Sequence, residues 1–249
     1  MKFKNLREFI AFLEDKGELR RISTTVSRDL EITELADRMV KSGGPALLFE
    51  NVEGSAVPVV IGLFGTHQRV AWALGVDNVE TITDRVRKLL GIAQGPPPGL
   101  MGKLRTAGDL IGLARSQPKI VGDGPCQEVV LEGEDVDLDL LPSLKCWPED
   151  GGRFITLPLV ISRDPDTGTR NVGTYRMQVY DKRTTGMHWQ THKVGAHHLR
   201  AGESAGLDRM EVAVAIGGDP TTIWAGSMPL PPGIDEFAVA GVIREEAVD

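Results

Sequence analysis

Polar side chains that could do chemistry gather in three short runs: Asn171-Val-Gly-Thr-Tyr-Arg176, Met187-His-Trp-Gln-Thr-His192 and Gly195-Ala-His-His198. Each interrupts a strand-like pattern. If residues 171–179 form one strand, period-two alternation sends Asn171, Gly173 and Tyr175 to one face and Val172, Thr174 and Arg176 to the other. A bend at Gly173 would let both sets of polar groups reach one cavity. Residue type alone leaves the roles open. An arginine on a strand ordinarily faces solvent or a surface ion pair, and a histidine is ordinarily a hydrogen-bonded structural residue. His197 and His198 are adjacent, so in strand geometry they point apart and cannot share a metal.

The common catalytic motifs are missing. There is no HExxH, CxxC pair, GxSxG elbow or Walker-type glycine loop, which disfavours zincin, redox-dithiol, hydrolase and P-loop chemistry. Gly217-Gly218-Asp219-Pro220 reads as a turn rather than a phosphate cradle.

The elements that must position these runs follow from apolar spacing. Leu6, Phe9, Ile10 and Leu13 share a helical face, with Asn5 as cap, Glu8 behind it and Gly17 at the end. Ile32, Leu35, Ala36, Met39 and Val40 form a second helical stripe before Gly43-Gly44, and ALLFE and VPVVIGL then read as buried strands. A helix is expected from Val79 to Leu90, and Gln94-Gly-Pro-Pro-Pro-Gly99 marks a linker or change of direction. From about residue 120 the chain turns β-rich: FITLPLVISR, VGTYRMQVY, MHWQTH and MEVAVAIGG are separated by the turns Asp-Pro-Asp-Thr-Gly and Lys-Arg-Thr-Thr-Gly, as in a barrel or sandwich. A last helix is expected over Glu236 to Glu245.

Composition excludes several classes. The 249 residues carry 28 Lys and Arg against 35 Asp and Glu, a net charge of -7, and the cations are scattered, which argues against a nucleic-acid surface. Two cysteines, Cys126 and Cys146, imply no disulfide framework and a cytoplasmic setting. The first 21 residues mix charge among apolar positions, so neither a signal-peptide core nor a membrane span is expected.

Long stretches of the chain resemble the UbiD decarboxylase family: LREFIAFLEDKGELRRI, EITELADRMVKSGGPALLFENVEG, LFGTHQRVAWALG, CWPEDGG, NVGTYRMQV and SMPLPPGIDEF. The resemblance implies an α/β amino-terminal domain over residues 1–115 followed by a flavin-binding split β-barrel over residues 116–249. It implies a prenylated FMN whose phosphate is bridged by a divalent metal, usually manganese, at the positions matching Asn171, His192 and Glu236. An amide oxygen, a carboxylate and one imidazole suit such an ion. A neighbouring potassium is implied on backbone carbonyls of Ala225, Gly226 and Met228 and on Glu236.

Arg176 matches the family's catalytic arginine, and a guanidinium suits bidentate binding of a carboxylate. Flavin contacts fall on Thr174, Tyr175, Arg176, Gln190, Ser227 and Met228. The implied activity is non-oxidative decarboxylation of an aromatic or α,β-unsaturated acid, in the branch this chain most resembles a 4-hydroxy-3-polyprenylbenzoate-like quinone precursor. A flavin prenyltransferase would supply the cofactor, and full-length members would be homo-oligomers.

Family members are about twice as long, and their proton-donating glutamate and carboxy-terminal domain match nothing before residue 249. Glu245 and Glu246 do not fall in that glutamate block. Two alternatives therefore stand beside the decarboxylase: a cofactor-binding half without independent activity, and an ordinary FMN-binding redox protein.

Overall fold

A computed structural model describes residues 2–84, 87, 114–231 and 233–249. The proline-rich stretch at 94–99 lies outside these residues, as does most of the end of the helix expected at Val79 to Leu90, of which 80–84 and 87 are helical.

The first helix forms where its capping signal puts it. In α1 (Leu6–Asp15) the Asn5 side chain accepts from Glu8 N at 3.0 Å, and Gly17 leaves the helix at φ +72°, a conformation that costs glycine nothing. Its buried Phe9 and Leu13 join Phe3, Leu19, Ala46 and Leu63 in one apolar cluster. The chain then enters β1 (Leu19–Ile22), crosses by α2 (Glu31–Lys41) to a parallel β2 (Ala46–Phe49), and returns antiparallel in β3 (Val59–Ile61). β1 was not expected: LRRI has no apolar alternation. It forms because Leu19 packs against α1 and its main chain pairs with β2.

After β3, α3 (His67–Ala73) is capped by Thr66, whose hydroxyl accepts from Arg69 N. Arg69 is fully buried, and its Nη1 donates to Glu18 Oε2 at 2.8 Å and Gly44 O at 2.9 Å. A guanidinium inside a core is tolerated only when paired in this way.

The second region holds two sheets. β4 (Phe154–Ile155), β7 (Met177–Val179) and β8 (Thr185–Met187) order as β4-β7-β8. β5 (Pro158–Arg163), β6 (Arg170–Thr174) and β9 (Ala213–Ile216) order as β6-β5-β9. All pairings in both are antiparallel. Helices α4 (Val194–Ser204), α5 (Pro220–Ala225) and α6 (Glu236–Arg244) complete the fold. Content is mixed α/β, and no closed barrel forms among the described residues.

Three expectations need correction. The first expected run, FITLPLVISR, does begin at Phe154, but the chain between residue 120 and it holds three single-turn 3₁₀ helices at Pro125–Gln127, Gly133–Asp135 and Leu138–Leu140 rather than strands. Residues 171–179 are two strands in two sheets, broken at Tyr175-Arg176 and not at Gly173. MHWQTH leaves its strand at Met187, and Gly195-Ala-His-His198 lies on helix α4. That helix lacks an apolar stripe because its inner face is Gly195, Ala196, His198 and Gly202. Small residues let it approach closely: a Cβ on Gly195 would sit 2.6 Å from the Trp189 ring.

The regions share cores. Leu6 and Phe64 pack on Leu159, Val172 and Ile223, and Ala71, Leu74 and Ile82 pack on Val239 and Ile243. Thr221 Oγ1 donates to Ala73 O at 2.9 Å across the same seam. No helix among the described residues is long and apolar enough to cross a membrane.

Candidate functional site

Strand β6 carries a buried carboxamide, Asn171, next in sequence to the residue whose backbone N–H holds a carboxylate from the start of α6. Asp235 caps α6, accepting from Phe237 N at 2.8 Å and Ala238 N at 3.3 Å, while Arg170 clamps the same carboxylate at 2.5 and 3.1 Å. That cap fixes Glu236 in the first turn. Glu236 is 8% exposed, and its Oε2 accepts from Val172 N at 2.9 Å. Asn171, one residue earlier in β6, is 7% exposed. Its Nδ2 donates to Tyr175 Oη at 3.4 Å, and its Oδ1 makes no hydrogen bond among the described residues.

Glu236 has an unfavourable electrostatic setting. Burial pushes its pKa above the ordinary 4.5, against the opposing pull of the Val172 N–H, its own backbone N–H and Arg170. Among the described residues no salt bridge reaches it, because Arg170 is committed to Asp235. A buried carboxylate without an ion pair is costly unless a proton or a cation compensates it. Together with the free amide oxygen of Asn171, this corner fits a hard divalent cation.

The third expected ligand, His192, comes from a different element. His192 lies in the turn between β8 and α4, is exposed, and makes no side-chain hydrogen bond among the described residues. No group of three or more His, Cys, Asp or Glu side chains converges among those residues. Gln190, in the same loop, is also exposed. Asn171 and Glu236 are thus buried on β6 and α6, whereas His192 and Gln190 lie exposed in the loop after β8.

The remaining expected contacts fall around the corner between β6 and β7. Thr174 Oγ1 lies 3.1 Å from Ser227 Oγ, and Thr174 N donates to Gly226 O at 3.0 Å, tying the strand end to the turn after α5. One of the carbonyls expected to bind potassium, that of Gly226, is therefore already accepting a hydrogen bond. Ala225 O likewise accepts from Met228 N at 3.0 Å and Met228 O from Leu230 N at 2.9 Å. Met228 also faces a mainly apolar cavity of about 570 Å³ with Val70, Leu74, Ile82 and Trp224.

Tyr175 is buried and packs edge-on against Trp189 with ring centroids 6.0 Å apart. Its ring folds back over Gly173, where a Cβ would lie 2.5 Å from the ring. That close approach explains why the polar stretch needs glycine there without a bend.

Arg176 is half-exposed at the corner itself. Its Nε donates to His188 Nδ1 at 3.1 Å, its guanidinium lies 4.7 Å over the Phe154 ring, and Nη1 is 3.9 Å from Asp150 Oδ1. His188 and Asp150 were not singled out from sequence, although they lie inside the quoted runs MHWQTH and CWPEDGG. The signal was in the runs, but only the hairpin geometry shows which members touch Arg176.

A second pairing was also not foreseen. Ser162 stands opposite Asn171 in the β5–β6 register, and its Oγ lies 3.0 Å from His198 Nδ1 on α4. Asp164 Oδ2 is 3.9 Å from His198 Nε2. Burial lowers the His198 pKa more than Asp164 raises it, so the ring is held neutral. With Ser162 and His198 both buried, this contact anchors α4 to the strand behind Asn171.

Comparison with known proteins decides the family. The 3-octaprenyl-4-hydroxybenzoate carboxy-lyase Rift-related domain matches residues 119–249, more than half of the chain, and the N-terminal domain of the same carboxy-lyase matches residues 10–89. The chain belongs to the UbiD family. An uncharacterized protein of Archaeoglobus fulgidus is 51% identical over 99% of this chain, and one of Aquifex aeolicus is 45% identical over all of it. The chain spans about half the length of these relatives, 50% and 51%.

Among solved structures, the UbiD-class enzyme HmfF from Pelotomaculum thermopropionicum, in complex with FMN, is 32% identical with a TM-score of 0.79, over 98% of this chain and 49% of its own. Vanillic acid decarboxylase from Sedimentibacter hydroxybenzoicus, in closed form, is 25% identical with a TM-score of 0.80, over 99% of this chain and 50% of its own. The fold is thus that of the amino-terminal part of UbiD-class enzymes.

Proposed function

We propose that this chain is the metal- and flavin-holding part of a prenylated-FMN-dependent carboxy-lyase that decarboxylates an aromatic or α,β-unsaturated acid without net oxidation. The observation that carries the reading is the buried Glu236 carboxylate, which makes no ion pair among the described residues, with the buried Asn171 next in sequence to Val172, whose backbone N–H holds it. A structural carboxylate would be paired or exposed. HmfF has been solved in complex with FMN and, in an evolved dimeric form, with prenylated FMN, which supports the cofactor class and an oligomeric full-length protein. A 4-hydroxy-3-polyprenylbenzoate-like substrate and a flavin prenyltransferase as supplier belong to the same reading.

In this reading Asn171, Glu236 and His192 would hold manganese, and the two sheets would form the split barrel around the flavin. Thr174, Tyr175, Gln190, Ser227 and Met228 line the isoalloxazine, and the carbonyls after α5 take potassium with their second lone pairs. When bound, the modified flavin takes up the electron pair released as CO2 departs. Arg176 holds the substrate carboxylate until that bond breaks. The proton that replaces CO2 comes from residues that match the other half of the family's chains, so full turnover requires that half.

Native mass spectrometry of the chain, co-expressed with a flavin prenyltransferase in manganese-supplemented medium, tests this. Retention of prenylated FMN plus manganese, with both lost in His192→Ala, is the expected result. Retention of unmodified FMN regardless of His192 would replace the reading with the redox protein.

A further inference from the structure

Arg176 is exposed enough to wander, yet four groups hold it. An arginine whose side chain is 44% accessible ordinarily samples several rotamers, and fixing one costs entropy. Here the ring of Phe154, from β4, floors the guanidinium at 4.7 Å. His188 Nδ1, just past β8, accepts from Nε at 3.1 Å, and the same residue's backbone N donates to Arg176 O at 3.1 Å. Asp150 faces Nη1 at 3.9 Å and is itself anchored, only 12% accessible, by accepting from Trp147 N at 3.0 Å.

A carboxylate can bind the fork side-on, through Nε and one Nη, or end-on, through both Nη atoms. With Nε committed to His188, only the end-on edge is open to a ligand.

Resting on the reading of Arg176 as the carboxylate holder, we propose that His188 is a positioning residue: its Nδ1 fixes the Arg176 guanidinium over Phe154 and directs substrate carboxylates to the end-on edge. Asp150, with Oδ1 3.9 Å from Nη1, adds an electrostatic restraint. An imidazole that accepts at Nδ1 carries its proton on Nε2, so an asparagine at 188, whose Oδ1 takes the place of Nδ1, keeps the acceptor, whereas phenylalanine keeps the volume and removes it.

Nuclear magnetic resonance of the whole chain reads the two roles separately. The Arg176 Nε–H cross-peak reports the clamp, and titration with benzoate, followed on the amides of residues 174–177, reports carboxylate binding. In the wild type and in His188→Asn the Nε–H signal is expected to be slow to exchange; in His188→Phe it is expected to broaden into water exchange, with benzoate affinity down about tenfold, the scale of one hydrogen bond to a charged group.

Because His188 is exposed, neither variant removes core packing. A His188→Phe chain that keeps both the signal and the affinity overturns the proposal, as does a His188→Asn chain that loses them. Arg176→Lys separates the two levels. If it binds benzoate as well as wild type does, the carboxylate-holding reading itself fails; if it loses benzoate while His188→Phe does not, only the positioning role fails.

Discussion

The two halves of the expected metal site are built to different standards. Asn171 and Glu236 sit on a strand and a capped helix, buried, with Glu236 locked to the backbone of Val172. His192 and Gln190 sit on an exposed loop with no side-chain partner among the described residues. A fold can pre-pay the ordering of the first pair because strand pairing and the Asp235 cap stabilise the chain whether or not an ion is present. The side chains of His192 and Gln190 gain nothing from order until a ligand arrives, although Trp189 between β8 and α4 packs on Tyr175.

The sharpest way to break the contrast is to remove each ligand in turn. Glu236→Ala is expected to abolish manganese retention, a loss of 100-fold or more in affinity by the scale of about 10- to 100-fold for removal of even an outer-shell partner. His192→Ala is expected to weaken retention strongly while moving the melting temperature of the metal-free chain hardly at all, since exposed, unbonded positions change stability by about 0.5 kcal/mol or less. Metal analysis paired with calorimetry checks both; a large loss of stability in His192→Ala would show that the loop is ordered without metal.

Gly173→Ala attacks the built half. Its Cβ would lie 2.5 Å from the Tyr175 ring, and an overpacked core costs about 1–3 kcal/mol, read as a lower urea midpoint with an unchanged slope.

Protonation of Glu236 gives a smaller and directional effect. Its pKa is raised on folding, so the native state binds the extra proton. The corresponding stability is fully present below pH 4.5, the ordinary value, and is lost as pH rises through the folded pKa. Glu236→Gln removes this titration while keeping an acceptor for Val172 N. The difference in melting temperature between variant and wild type is expected to grow in the variant's favour as pH rises from about 4 to 7, and manganese is expected to close the gap in the wild type. A pH-independent difference would mean that the carboxylate is already compensated.

The smallest expected change is Tyr175→Phe. It removes the acceptor for Asn171 Nδ2 and Gly195 N, both long contacts at 3.4 and 3.5 Å, so about 1 kcal/mol or less is at stake.

What could be read in the sequence follows the same division. α1 announced itself through its cap and apolar stripe, α2 and α6 through apolar spacing, and α6 ends one residue before the expected Glu245, which takes a left-handed cap at φ 55°. α4 did not, because its packing face is glycine, alanine and a histidine held by Ser162. The strand break at Tyr175-Arg176 was invisible to alternation because sheet membership is decided by which strands pair, β6 with β5 and β7 with β4 and β8, and alternation within one run does not encode partners. The burial of Asn171 and Glu236 likewise depends on α6 meeting β6, 65 residues apart. Resemblance named the residues; only the packing shows which of them the fold prepares.

The central claim is that Asn171, His192 and Glu236 share one manganese ion that also touches the flavin phosphate. Pulsed electron paramagnetic resonance of the manganese-loaded, prenylated-flavin chain measures this directly. One imidazole nitrogen coupling, absent in His192→Ala, together with a phosphorus coupling is the result the account predicts; a nitrogen coupling that survives His192→Ala, or no phosphorus coupling, would contradict it.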